Sequence, residues 1–136
     1  MTFTVTHDPA NFAACLTHVG LVDAEEILAS RQELREVAVS RSVRGVLINI
    51  SDATITAEPV QIIDNVQGLV DELAPGKKLA FVSKAADQET VSMIVATVAH
   101  SSGRKVGQFH ELEKALGWIR LDWDAAVAAG FVPIAN

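Results

Sequence analysis

The sequence predicts a single α/β domain over residues 1–136, a mixed and mostly parallel β-sheet flanked by helices in the order ββαβαβαβα. Three observations carry that prediction. Val46-Leu47-Ile48-Asn49-Ile50 is a short, almost wholly apolar, β-branched run between Arg44-Gly45 and Ser51-Asp52-Ala53. Such a run suits a central strand covered on both faces. Similar short runs at 79–82 and 105–109 alternate with amphipathic stretches of helical length, the pattern of right-handed crossovers in a parallel sheet. Two strand-like segments at the start, separated by turn formers, predict an antiparallel hairpin that makes the sheet mixed.

In chain order, residues 2–6 (Thr-Phe-Thr-Val-Thr) alternate with period two and predict a half-buried strand. His7 to Asn11 is a turn, and residues 12–19 form the second strand, ended by Gly20. Asp23 is placed as the N-cap of the first helix, with Glu26 at capping-box spacing. Ile27, Leu34 and Val37 mark its inner stripe, widened by Leu28 and Ala38, and it should end near Arg41.

The central strand follows. Thr56 is the expected cap of the next helix, with Pro59 tolerated in its first turn. Val60, Ile63, Val66, Leu69, Val70 and Leu73 form its buried face, and Pro75-Gly76 stops it. A third helix starts at Asp87 or a neighbour, turns Val91, Ile94, Val95 and Val98 inward, and stops at Gly103. The last clear helix spans 111–120, with Leu112, Ala115, Leu116 and Ile119 on one side; the alanine-rich 124–136 extends it or forms a tail. No internal repeat or linker divides the chain.

Composition narrows the function classes. The chain is long enough to bury a core without staples, and 49% apolar with 21% charged residues is a globular composition. A net charge of -6 with no basic stripe argues against nucleic acid. Cys15 is the lone cysteine, so no internal disulfide forms and a reducing compartment is the simpler reading. No lysine or arginine precedes Arg31, so a secretory n-region is missing. The longest apolar runs are far shorter than the ~20 residues a bilayer requires. The expectation is a cytoplasmic domain with no membrane insertion.

Most site motifs fail on inspection. Gly76-Lys77 resembles the end of a phosphate-binding loop, but Asp71 replaces its first glycine and Lys78 its Ser or Thr. No Gly-x-Gly-x-x-Gly supports a dinucleotide. His110-Glu111 begins like a zinc-protease helix, but Lys114 stands where the second histidine belongs. Cys15 and His18, three apart on a strand, should point to opposite faces. His7 and His100 fall at turns or helix ends, and Trp118 and Trp123 suit packing better than a pocket. No cofactor, metal or catalytic residue is expected.

One constellation remains. If the strands ending at Ile50, Val82 and Phe109 are parallel neighbours, their carboxyl ends gather Ser51, Asp52, Thr54, Ser83, Lys84 and His110 beside three helix N-termini. Free amides there, with a lysine nearby, would attract an anion. The same residue types also serve as caps and turn formers.

Three places in the chain carry a resemblance. Gly20-Leu21-Val22-Asp23-Ala24-Glu25-Glu26 matches a strand-end glycine followed by an acidic helix start. Arg44 to Ser51 matches a central strand, and Val106-Gly107-Gln108-Phe109 with Glu113 to Ile119 matches a closing strand and a helix with an Ala-Leu-x-Trp-Leu core. With these, the sequence resembles the STAS/SpoIIAA-like family of small single-domain bacterial proteins.

The resemblance implies a non-enzymatic regulatory domain that binds a protein partner or a second copy of itself. In the better-known branch, a serine after the central strand accepts phosphate from a partner kinase and switches binding to an anti-sigma factor. That branch carries an Asp-Ser-Ser-Gly-like sequence where this chain has Asn49-Ile50-Ser51-Asp52-Ala53-Thr54, leaving Ser51 and Thr54 as candidate acceptors. The alternative is a carrier of a small apolar or anionic ligand, related to CRAL-TRIO-type domains. A mean hydropathy of +0.27 supplies the apolar side chains, and a carrier needs a pocket of ~300 Å3 or more.

Overall fold

The computed structural model describes residues 3–41, 43–73, 76–84 and 88–121. Strands β1 (Phe3–Asp8) and β2 (Ala13–Val22) form the antiparallel hairpin, joined by a 3-10 turn at Pro9–Asn11 in which the Asp8 side chain accepts the Asn11 N–H. There follow α1 (Ala24–Ser40), β3 (Gly45–Ile55), α2 (Pro59–Leu73), β4 (Lys78–Val82), α3 (Glu89–Ser102), β5 (Val106–Phe109) and α4 (Leu112–Arg120). The five strands lie in the order β1-β2-β3-β4-β5, with β2 to β5 parallel. This is the predicted ββαβαβαβα sheet.

Topology decides where the helices go. From β2 onward each strand is added on the same side of the last. Right-handed crossovers therefore carry α1, α2 and α3 over one face. The larger core lies there, where Val46, Ile48, Ile50 and Phe81 meet Leu34 of α1, Val66 and Leu69 of α2, and Val95 of α3. The alternate residues Leu47, Ala80 and Val82 point the other way and pack under Ala115, Leu116 and Ile119 of α4.

Among the described residues, α4 is the only helix on that second face. Gly45 allows its close approach, since a Cβ there would stand 2.8 Å from Ile119 and 3.0 Å from the Lys78 carbonyl. The buried Lys78 ammonium donates to the carbonyls of Trp118, at 2.7 Å, and Leu121, closing the C-terminus of α4 with a cation.

Several sequence expectations are corrected. Gly20 does not end β2; it sits inside it at φ 79°. The central strand does not end at Ile50 but runs on to Ile55. The two extensions hold each other, with Val19, Gly20, Leu21 and Val22 opposite Asp52, Ala53, Thr54 and Ile55 beyond a register shift after Thr17. Thr56 does not cap α2; its hydroxyl donates to the Val22 carbonyl at 3.2 Å, extending the β2–β3 junction.

The helix begins at Pro59, and the Gln61 side chain accepts the Glu58 N–H at 2.9 Å. That start turns Ile62 inward and leaves Val60 and Ile63 exposed, and Leu28 and Leu112 are exposed too. Asp23 caps α1 as expected, accepting the Glu26 N–H at 2.9 Å. Pro75, Asp87, Trp123 and the stretch 124–136 lie outside the described residues.

Candidate functional site

The strand lengths build the site. β4 pairs with β3 only as far as Val82 opposite Asn49, while β3 continues six residues further with β2 alone on its other side. The β4-side edge of that overhang has backbone groups to satisfy, and burial without partners would be costly. Gln88 supplies them. Its amide donates to the carbonyls of Ile50 and, at 2.8 Å, Ala53, and its carbonyl oxygen accepts the Lys84 N–H at 2.8 Å. Only 4% exposed, Gln88 stands in for the missing strand and ties the segment after β4 to the end of β3.

Ser51, Asp52, Thr54 and Lys84 surround an open recess of about 430 Å3 with Gln88 at its base. The Ser51 hydroxyl donates to Asn49 Oδ1 at 2.6 Å, and the same oxygen accepts the Ser51 N–H at 3.1 Å, so this half-buried hydroxyl is already engaged. Thr54 is exposed and lies on β3, not on a helix. Lys84 Nζ lies 3.5 Å from Asp52 Oδ1 with both side chains more than half exposed, a pair worth little in water.

The remaining two predicted residues form a neighbouring unit. Ser83 is buried; its N–H donates to the Phe109 carbonyl at 3.0 Å, and its own carbonyl accepts from His110 Nδ1 at 2.8 Å. His110 therefore links the ends of β4 and β5, and its imidazole orientation is set by a backbone acceptor. The helix N-termini beside the recess carry their own carboxylates, Glu89 on α3 and Glu113 on α4, with Glu58 just before α2. With Asp52 also present, the recess is poorly suited to a free anion.

An apolar strip adjoins these polar groups. Val19 is 52% exposed and Leu21 73% exposed, opposite Asp52 and Thr54 on the sheet face that carries α4. A second groove of about 370 Å3 leads from Thr54 and Gln88 between the first turns of α2 and α3. Cys15 packs on the α4 side and His18 on the other face. Burial, reinforced by Asp8, pushes the Cys15 thiol up to about 11, so it is not a nucleophile at neutral pH.

Sequence reasoning missed two groupings. One is Gln88, whose role depends wholly on tertiary placement. The other is His18, Glu26 and Ser30 at the junction of β2 and α1. The Ser30 hydroxyl donates to the Ile27 carbonyl at 2.9 Å, which leaves its oxygen to accept from His18 Nε2 at 3.0 Å. Glu26 Oε2 lies 3.4 Å from His18 Nδ1, at ion-pair distance but off hydrogen-bond geometry. Burial lowers the His18 pKa, and the Glu26 carboxylate partly opposes that shift. Glu26 and Ser30, one turn apart on the inner side of α1, were the available signal.

No family model matches the chain, and no curated protein matches it significantly. Solved structures do. The chain is similar to an anti-sigma factor antagonist from Mycobacterium paratuberculosis, with a TM-score of 0.64, 14% identity, and coverage of 88% of this chain and 95% of that one. It is also similar to an uncharacterized protein with a SpoIIAA-like fold from Shewanella loihica, with a TM-score of 0.59, 16% identity, and coverage of 86% and 91%. Nearly full coverage in both directions, with the five-stranded mostly parallel sheet and four α-helices of the described residues, gives this chain a SpoIIAA-like fold.

Proposed function

We propose that the chain is a regulatory interaction domain that docks a protein partner on the end of its sheet, over Val19, Leu21, Asp52 and Thr54. The observation that carries this reading is the pairing of two exposed aliphatic side chains on β2 with polar neighbours on β3, on a sheet face that α4 covers only in part. An apolar centre with a polar rim is the usual composition of a protein interface. The likeness to an anti-sigma factor antagonist supports a partner of the same kind, a regulatory protein. The domain performs no chemistry of its own in this reading.

Of the two candidate phospho-acceptors, Thr54 suits the role better. Its side chain is exposed, whereas the Ser51 hydroxyl is held by Asn49. A phosphate on Thr54 adds roughly -1.5 to -2 charge beside Leu21 and would oppose docking by desolvation and by repulsion from acidic neighbours such as Asp52.

The test is site-specific photo-crosslinking from Leu21 and, as a control, from Leu28 on α1. A partner captured from Leu21 and absent from Leu28 is then purified and titrated. Leu21→Asp and Thr54→Asp should each weaken its binding at least about tenfold, the usual cost of losing a central contact. Capture from Leu28 alone, or unchanged affinity in both variants, would refute the docking surface. A crosslink to a second copy of this chain would make the partner a homodimer.

The core cavity between helices and sheet holds about 60 Å3, so that cavity does not support a carrier of a ligand needing ~300 Å3 or more.

A further inference from the structure

That small cavity has a chemistry of its own. It lies on the α1–α3 face of the sheet, opposite the docking surface, and its walls are aliphatic, including Ile48 and Ile50 of β3 and Val66 and Leu69 of α2. Its polar lining comes from His18 and Ser30, which meet at the junction of β2 and α1, and from Arg31 and Asn65, which meet between α1 and α2. About 60 Å3 is too little for a lipid but accommodates roughly two to four water-sized groups.

The donor capacity of that lining lies with Arg31. Arg31 lies across α2 at Gly68, where a Cβ would stand 2.5 Å from its Nη1, so the glycine is what lets the guanidinium lie there. Arg31 Nη1 donates to Asn65 Oδ1 at 3.1 Å, and Nη2 lies 3.5 Å from Glu72 Oε1. A guanidinium has five N–H donors, so capacity remains for a further acceptor. Glu72 is shared with Arg35, at 3.7 Å, which sets two cations against one carboxylate on this rim. Ser30 accepts from His18 Nε2, while His18 Nδ1 makes no hydrogen bond and has Glu26 Oε2 at 3.4 Å.

We infer that this cavity is a binding site for a small amphipathic monocarboxylate, with its carboxylate on Arg31 at the mouth and a short branched aliphatic tail among the isoleucines and valines inside. A carboxylate is the acceptor whose geometry best matches a guanidinium, and the walls offer the tail nothing polar.

The test titrates the full chain with isobutyrate at pH 7, followed by amide NMR shifts, and repeats it with isobutanol, which keeps the tail and removes the charge. For so few atoms a dissociation constant on the order of 10 mM is expected. Saturable shifts should centre on Ser30, Arg31, Asn65 and Leu69, with isobutanol at least tenfold weaker. Arg31→Gln should abolish the preference for the acid. Val66→Leu, which fills the cavity, should weaken both ligands.

Equal binding of acid and alcohol by the unmodified chain would overturn the inference, and so would shifts centred on the strand-end recess or the absence of saturation. That comparison needs no variant and stands even if Arg31→Gln fails to fold.

Discussion

Replacing Gln88 by alanine tests the strand-end architecture at its most exacting point. The substitution removes three hydrogen bonds at once, two donated to the carbonyls of Ile50 and Ala53 and one accepted from the Lys84 N–H. A net hydrogen bond is worth about 1 kcal/mol, and a buried group left unsatisfied costs about 1–3 kcal/mol. The adjoining recess admits water, which can solvate some of the freed groups. These limits place the loss at about 2–4 kcal/mol.

Urea unfolding at pH 7 measures it, with an unchanged m-value showing that the same surface is exposed on unfolding. Native-state hydrogen exchange gives the local signature: the Lys84 amide should lose protection selectively, while amides within the β2–β3 ladder keep theirs. A loss below about 0.5 kcal/mol, the ordinary scatter of surface substitutions, together with unchanged Lys84 protection would refute the idea that Gln88 replaces a strand.

Three further outcomes follow from the same geometry. Gly45→Ala drives a Cβ to 2.8 Å from Ile119 and 3.0 Å from a backbone oxygen, and should cost about 1–3 kcal/mol in urea unfolding. Ile119→Ala should then cost less in that background than alone, because the two sites are in contact. The rise of the Cys15 thiol from 9.0 to about 11 lowers its thiolate population about a hundredfold at pH 8, so alkylation by iodoacetamide should be slow when folded and fast in urea. His18 has a lowered folded pKa, so the unfolded chain binds more protons below its ordinary value of 6.5. Stability from this residue is complete above pH 6.5 and falls as pH drops from there toward the folded pKa. His18→Gln should flatten that part of the urea-stability profile, and an NMR titration should place His18 below its ordinary value of 6.5.

Local signals explain what was legible in the sequence. Asp23 and Glu26 announced the start of α1, and the apolar run at 46–50 announced a strand between two layers. Their meaning does not depend on distant residues. The end of β3 was hidden for the opposite reason. Ser51, Asp52 and Thr54 are turn formers by composition, and they remain extended because Val19, Leu21 and Val22, some thirty residues earlier in the chain, pair with this tip.

The inner face of α2 was ambiguous because Val60, Ile63 and Ile62 all fit a helical stripe. The start at Pro59 selects Ile62. The position of the candidate site followed from fold class, whereas the engagement of Ser51 by Asn49 and of His110 by Ser83 required the register.

The asymmetry of the sheet connects these findings. Three crossovers in one direction place three helices on one face. That face becomes thick, and the contact between α1 and α2 near Gly68 leaves a small cavity edged by Arg31. Among the described residues the opposite face has α4 alone, which reaches β3, β4 and β5 but leaves Val19 and Leu21 exposed. β4 has only five residues against the eleven of β3, so the tip of β3 also stands beyond its neighbour. The docking surface and the cavity are thus two results of one connectivity, on opposite faces of one sheet. Substitutions at Leu21 should therefore leave isobutyrate binding intact, and Arg31→Gln should leave partner docking intact. Loss of both by either substitution would mean that the two faces are coupled through the strands between them.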